Sequence, residues 1–400
     1  MDIDIIPWLN MALRWLHVIA GIAWIGSSFY FIWLDNSLRP EKGETGEGVA
    51  GALWAVHGGG FYYKKKYRVA PDHMPDTLHW FKWEAYTTWL SGFALLVLMY
   101  YVSANLYLVD RTRLDLSNFQ AAGLGIAFII AGWLVYNTLC RSPLRRNDAL
   151  LGAVWFAVLL VFAFALNKVF SGRGAVMHVG VIIGTVMAAN VFMIIIPNQR
   201  KTVAALLAGK APDPALGLAA KQRSLHNNYM TLPVVLIMTS NHYPLLFGNP
   251  YNWALLGGLG ISGMLIRHFF NLRHHDLVQY RWLVGGALAF VAVMVFASAS
   301  QNGFHSRTKQ KAVSFAQVRT LITAHCTMCH AQTPTHDGFE APPAGLDFTD
   351  DAVIAANAGR IYDQVVAAKI MPLGNETAMS DAERAQIGAW AQAQKQNNGH

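Results

Sequence analysis

Cys326-Thr327-Met328-Cys329-His330 decides how the rest of this chain is read. C-x-x-C-H is the attachment pattern of a c-type haem: two thiols form thioethers to the porphyrin, and the adjacent imidazole ligates the iron. A zinc knuckle or a redox cysteine pair competes with that reading. Structural zinc sites use four such ligands, and the chain has 3 cysteines in all. Further on, Met371-Pro372 offers a thioether sulfur as the sixth iron ligand, with Met328 and Met379 as the other sulfurs nearby. His330 and Met371 are therefore the candidate iron ligands, and Cys326 and Cys329 the covalent anchors. Haem c is attached outside the cytoplasm, so residue 326 is expected there.

The remaining composition is that of a membrane protein. Apolar residues make up 54% and charged ones 14%, with 13 Trp among 400 residues. The net charge of +8 is uneven, because residues 312–400 carry an acidic excess and the basic excess lies before them. The basic residues sit in loops between apolar runs, which points to membrane orientation and away from nucleic acid. Runs long enough to cross roughly 30 Å of hydrocarbon fall near 11–34, 80–103, 121–140, 149–167, 175–196, 229–247, 253–270 and 282–300. No cleavable signal peptide is recognisable. The loops after the odd-numbered spans hold Arg39, Lys64, Lys65 and Lys66, then Arg141, Arg145 and Arg146, then Arg200, Lys201 and Arg223, then Arg273 and Arg281. The other loops hold Arg111, Arg113, Lys168 and Arg173. Positive-inside puts both termini outside, and an external haem c with an even span count demands the same.

The chain also repeats. Leu16-His17-Val18 matches Met177-His178-Val179, Leu78-His79 matches Leu225-His226, and Leu144-Arg145-Arg146-Asn147-Asp148 matches Leu272-Arg273-His274-His275-Asp276. Two four-helix halves in parallel orientation follow, a duplication that places a site at the repeat interface.

Ionisable groups inside spans are functional candidates. His17 and His178 fall at equivalent positions, where neutral imidazoles suit a buried haem b. Interhelical hydrogen bonding is the plainer role for the same pair, and for His79, His226 and His268 it is the preferred one over haem ligation. Glu84, read as a carboxylate within the second span, lies near His79, Trp80, Lys82 and Trp83. An aromatic belt with a snorkelling Lys explains these residues plainly. A pocket that stacks a flat anionic heterocycle explains the carboxylate too, with Glu84, Lys82 and His79 as catalytic candidates. Cys140 reads as an inert buried thiol, and His57-Gly58-Gly59-Gly60-Phe61-Tyr62 as a permissive loop.

Beyond the last span, residues 301–314 form a polar linker and 315–400 a separate domain. Helices are expected at 315–325, at 351–368 and from a capping box at Ser380-Asp381-Ala382-Glu383 to about Gln394, with Trp390 facing inward. That helix, haem motif, loop, helix, Met, helix order resembles a small class I cytochrome c. The expected fold is all-α, an eight-span bundle of two four-helix repeats plus this domain.

The stretch Trp15-Leu16-His17-Val18-Ile19-Ala20-Gly21-Ile22-Ala23-Trp24-Ile25-Gly26-Ser27-Ser28-Phe29-Tyr30, the loop from His57 to Tyr62, the run from Leu78 to Leu90 and Ser240-Asn241-His242-Tyr243-Pro244 together resemble the membrane-bound bacterial urate oxidase (urate hydroxylase) family. That resemblance covers essentially the whole chain. It implies that residues 1–300 oxidise urate to 5-hydroxyisourate in purine degradation. It further implies that electrons leave through haem c to a terminal cytochrome c oxidase or a soluble cytochrome, in a bacterial inner membrane. The opening of the first span is also similar to four-span haem-b proteins of the protoporphyrinogen-oxidase kind, which favours His17 as a ligand. Two rival readings are a quinol or porphyrinogen oxidase and a non-catalytic electron-transfer cytochrome.

Overall fold

The computed structural model describes residues 5–40, 48–71, 73–306, 313–367 and 369–397. It is mostly helical, and six of its helices are long and apolar enough to cross a membrane. These are α1 (Ile5–Ser37), α4 (Asn118–Arg141), α5 (Asp148–Val169), α6 with its continuation (Gly172–Leu207), α10 (Asn252–Arg273) and the Tyr280–Ser300 part of α11 (Tyr280–Ser306). Much of α1 and α11 faces outward, with Trp8, Trp15 and Ile22 of α1 exposed. Apolar faces of that size are compatible with lipid contact.

The second and sixth expected spans are helical but of a different make. α2 (Trp83–Leu96) passes through a π-helical turn at Val97–Tyr101. α3 (Ala104–Tyr107) follows it. α8 (Pro214–Thr239) begins well before the expected 229. Its middle carries Arg223, His226, Asn227 and Asn228, all buried, so its hydropathy is diluted by side chains that face other helices. Arg223 thus belongs to the interior and not to a surface loop. A second π-helical turn, Asn190–Ile195, joins α6 (Gly172–Ala189) to α7 (Ile196–Leu207).

The segment read as a loop is a β-hairpin. β1 (Val49–His57) pairs antiparallel with β2 (Gly60–Tyr67), and His57 faces Gly60 across Gly58-Gly59. Both turn glycines have positive φ, 58° and 78°, as a two-residue hairpin turn requires. Trp54 pairs with Tyr63 at 4.8 Å between ring centroids. The hairpin sits on the end of α1, tied by an Arg39–Ala52 bridge and by Lys66 Nζ to Asp35 Oδ2 at 2.7 Å. Among the described residues the fold is therefore helical with one two-stranded sheet.

Loops gather by end. At the basic end Arg39 pairs with Asp276, and Gln222 donates to the Arg145 carbonyl and to Asp148. At the other end Arg113 binds the Asn167 and Phe170 carbonyls, and the Ser171 N–H reaches Leu108. The short helix α9 (Pro244–Phe247) lies at that same end, its Phe247 carbonyl against Gly172. The C-terminal domain also lies there, opposite the basic loops, with Leu373–Asn375 on α3.

That domain has its own apolar core, built on Val318, Ile322, Ile354, Met379, Ile387 and Trp390. α12 (Phe315–His325) starts at a Ser314–Gln317 capping box. α15 (Asp381–Asn397) starts at the expected one, in which the Ser380 N–H donates to Glu383 and the Glu383 N–H to Ser380 Oγ. The helix expected at 351–368 is broken into α13 (Asp351–Ala356), α14 (Ala358–Ile361) and a π-helical turn at Tyr362–Ala367. Of the expected linker, 301–306 continue α11, and 307–312 lie outside the described residues.

Candidate active site

A cavity of about 500 Å³ opens at the basic end between α1, the segment preceding α2, the α6–α7 helix and α8. In the repeat read from sequence these elements correspond in two pairs, α1 with the α6–α7 helix and the segment before α2 with α8. Trp24 and Phe31 of α1 and Trp80 and Phe81 before α2 give it aromatic walls. Phe81 meets Phe31 edge-on at 4.8 Å and His79 at 4.6 Å. Polar groups come from opposite sides: His79, Gln199 of α7 and Asn227 of α8. Asp35, also in the wall, is matched by Lys66 of the hairpin. Ring faces with a few convergent amides form a site for a flat heterocycle, because one amide offers both a donor and an acceptor.

Asn227 is held from behind. Its Nδ2 donates to the Met187 carbonyl at 3.0 Å, and its Oδ1 accepts from Asn190 Nδ2 at 2.9 Å. Asn190, fully buried, heads the π-helical turn, a distortion that frees backbone geometry at functional sites. It also donates to the Tyr136 hydroxyl at 3.1 Å and accepts from Arg223 Nη1 at 3.1 Å. Arg223 Nη2 donates to Asn137 Oδ1 at 2.8 Å, and the guanidinium covers the Tyr136 ring at 4.9 Å. The Tyr136 hydroxyl meets His226 Nδ1 at 2.8 Å, so His226 has the interhelical role. Sequence alone assigns Arg223 to a basic loop and gives Asn190 and Asn227 no role. The one available signal was an Arg and two Asn in runs otherwise fit to be buried.

The candidates drawn from sequence separate. His79 lines the cavity; Lys82 and Glu84 do not. Lys82 caps α2, with its Nζ over the Trp83 ring at 5.7 Å. Glu84 sits in the first turn of α2 and not within the span. A carboxylate there meets free backbone N–H groups and the positive end of the helix dipole, so the cost that made it conspicuous is largely removed.

His17 and His178 are not brought together. His17 Nδ1 lies 3.0 Å from the Thr88 carbonyl and 3.2 Å from Ser91 Oγ on α2, where a Cβ on Gly92 would meet the ring at 2.7 Å. His178 is wholly buried, with Nδ1 at 2.8 Å from the Gly174 carbonyl and Nε2 at 3.2 Å from the Tyr101 hydroxyl. A Cβ on Gly125 of α4 would come 2.6 Å from that Nε2. The nitrogen that would ligate iron thus faces a phenol and a closely packed helix. This arrangement does not fit one haem clamped by the two residues.

The urate oxidase N-terminal family profile matches residues 4–298, nearly three-quarters of the chain. The chain belongs to that family. No curated protein and no solved structure gives a significant match. The cavity, the hairpin and the π-helical turns at Val97–Tyr101 and Asn190–Ile195 all fall within the family's matched region, and the C-terminal domain lies beyond it.

In that domain the C-x-x-C-H motif caps α12. Cys326 N–H donates to the Ile322 carbonyl and His330 N–H to the Cys326 carbonyl, closing a tight turn with Cys326 in the domain core and Cys329 half-buried. His330 Nδ1 is 3.1 Å from the Leu346 carbonyl, and its ring leans on Phe348. A donating Nδ1–H leaves Nε2 as a lone-pair ligand. Burial lowers the His330 pKa, which favours that neutral form. Burial also pushes the Cys326 thiol up to about 12, against the pull of Arg384. Met371 borders the core that contains Cys326 and Phe348, its carbonyl held by Arg384 at 2.5 Å, whereas Met379 is buried within that core. These residues fit a haem c that Cys326, Cys329 and His330 would hold, with Met371 as the candidate second iron ligand.

Proposed function

We propose that the protein oxidises urate to 5-hydroxyisourate in purine degradation. Its substrate site is the cavity between the repeat halves, and electrons leave through haem c to a terminal oxidase or a soluble cytochrome. The cavity carries this reading, because its aromatic walls and the amides of Gln199 and Asn227 suit a planar ring edged with carbonyls and N–H groups. Urate and one water give 5-hydroxyisourate, two protons and two electrons. His79 is the general base: it takes the proton of the attacking water, a role worth about 10²–10⁴-fold. Asn227 and Gln199 orient the ring, and the aromatic walls keep bulk water from its faces. Lys66 neutralises Asp35, so the wall does not repel an anion, and Arg223 adds positive charge behind Asn227. Haem c, when bound, takes up the electrons one at a time. Eight crossings, with both termini and the C-terminal domain on the periplasmic side of a bacterial inner membrane, complete the proposal. The separation of the basic loops from the C-terminal domain supports it.

Anaerobic urate added to purified protein should bring up the reduced haem c band. Reduction by a quinol or a porphyrinogen but not by urate would replace this reading. Reduction by no small molecule would leave an electron-transfer cytochrome.

A further inference from the structure

The C-terminal domain meets the membrane domain through the segment that carries Met371. Leu373–Asn375 lies on α3, and Ile370 packs against the apolar core of the helical bundle. The approach is so close at Gly374 that a Cβ there would overlap the carbonyl oxygen of Asn105. Arg113, Arg173, Lys369 and Asp381 surround a cavity of about 480 Å³ beside this contact. The C-x-x-C-H turn lies in the same domain but contributes nothing to the cavity's wall.

We propose that this contact is the electron-input face of the C-terminal domain: electrons from the membrane domain reach haem c from the Met371 side. The cysteine-bearing side is left for the external acceptor. The assignment rests on the urate reading above. Each crossing oxidises the bound substrate by one electron and reduces ferric haem c to ferrous; two crossings, with acceptor turnover between them, balance one urate.

Gly374→Ala in the full-length holoprotein is the test. Gly374 has φ 58°, but Ala344 and Ala378 of the same domain hold φ 56° and 53°, so the domain tolerates alanine in that region. The clash with Asn105 is what must yield. Two readouts are taken: hydrogen exchange of segments 103–113 and 369–381, and haem c reduction driven by urate against that by dithionite. The expected result is lost protection in both segments and urate-driven reduction slowed about tenfold or more, matching a docked fraction cut by that factor. The haem c spectrum, midpoint potential and dithionite rate stay unchanged. Undocking with unchanged urate-driven reduction overturns the proposal. So does free exchange of both segments in the unmodified protein. Retained protection in the variant also overturns it, because the described contact has no room for a Cβ. If urate fails to reduce the unmodified protein, the urate reading falls, while hydrogen exchange still decides the contact.

Discussion

Asn190→Ala is the sharpest test of how the substrate cavity is held. The side chain makes three hydrogen bonds: to Asn227 at 2.9 Å, to the Tyr136 hydroxyl at 3.1 Å and from Arg223 at 3.1 Å. Interhelical hydrogen bonds in membrane bundles average about 0.6 kcal/mol, which sets a floor of about 2 kcal/mol for the three. The orphaned groups raise it. Arg223 is buried and keeps one amide partner, and Asn227 Oδ1 loses the partner shown here. A buried polar group left unpaired costs about 1–3 kcal/mol, so the total loss falls at about 2–5 kcal/mol. A second effect is functional. Asn227 keeps only its bond to the Met187 carbonyl, and its amide is free to turn away from the cavity. Loss of one oriented hydrogen bond of about 1.4 kcal/mol raises KM for urate about tenfold. Asn190→Asp is the control: it keeps the acceptor for Arg223 and loses the donor to Asn227, so it should recover stability but not KM. Thermal unfolding in detergent and steady-state urate oxidation are the measurements. Unchanged KM in both variants, with Tm lowered in Asn190→Ala, would refute the positioning role assigned to this network.

Other outcomes follow from the same geometry. His79→Gln should cut urate-driven reduction by about 10²–10⁴ with an unchanged haem c spectrum, while Glu84→Gln, whose side chain lies off the cavity, keeps turnover. The reverse ranking in stopped-flow traces would move the base to Glu84. Cys326→Ser/Cys329→Ser should abolish covalent haem staining on a denaturing gel, since no thioether can form. Hydrogen bonds from the Ser380 hydroxyl and N–H hold the Glu383 carboxyl below its ordinary 4.5. The stability this adds is fully present above 4.5 and is lost as pH falls through the lowered value. Acid titration of the C-terminal domain, followed by haem absorbance, should therefore flatten in Glu383→Gln.

What was legible in the sequence was local. Six of the eight apolar runs produced long helices where expected, because twenty apolar residues in a row leave the backbone no other way to satisfy its hydrogen bonds in hydrocarbon. Ser380-Asp381-Ala382-Glu383 formed its capping box, and the helix from Phe315 to His325 ended at the cysteine motif. The hairpin was missed, although Leu53-Trp54-Ala55-Val56 and Phe61-Tyr62-Tyr63 flank Gly58-Gly59 in a two-residue-turn pattern. Three lysines and adjacent glycines read more readily as a polar loop. Glu84 was overrated for a related reason: a boundary three residues later turns an interior charge into a first-turn one.

The sequence by itself determined the long apolar helices, the basic loops, the recurrence of short motifs and the C-x-x-C-H spacing of Cys326, Cys329 and His330. All of these depend on spacings within a few dozen residues. The tertiary structure alone decided which side chains share a cavity. Trp24, His79, Gln199 and Asn227 lie in four separate segments, and only the packing of those segments brings them to one space. It also decided that His17 and His178 face different neighbours, a matter of helix rotation that equal places in a repeat do not fix. The reason is physical: periodicity reports which face of a helix avoids water or lipid, but not which polar group across the interface that face will meet.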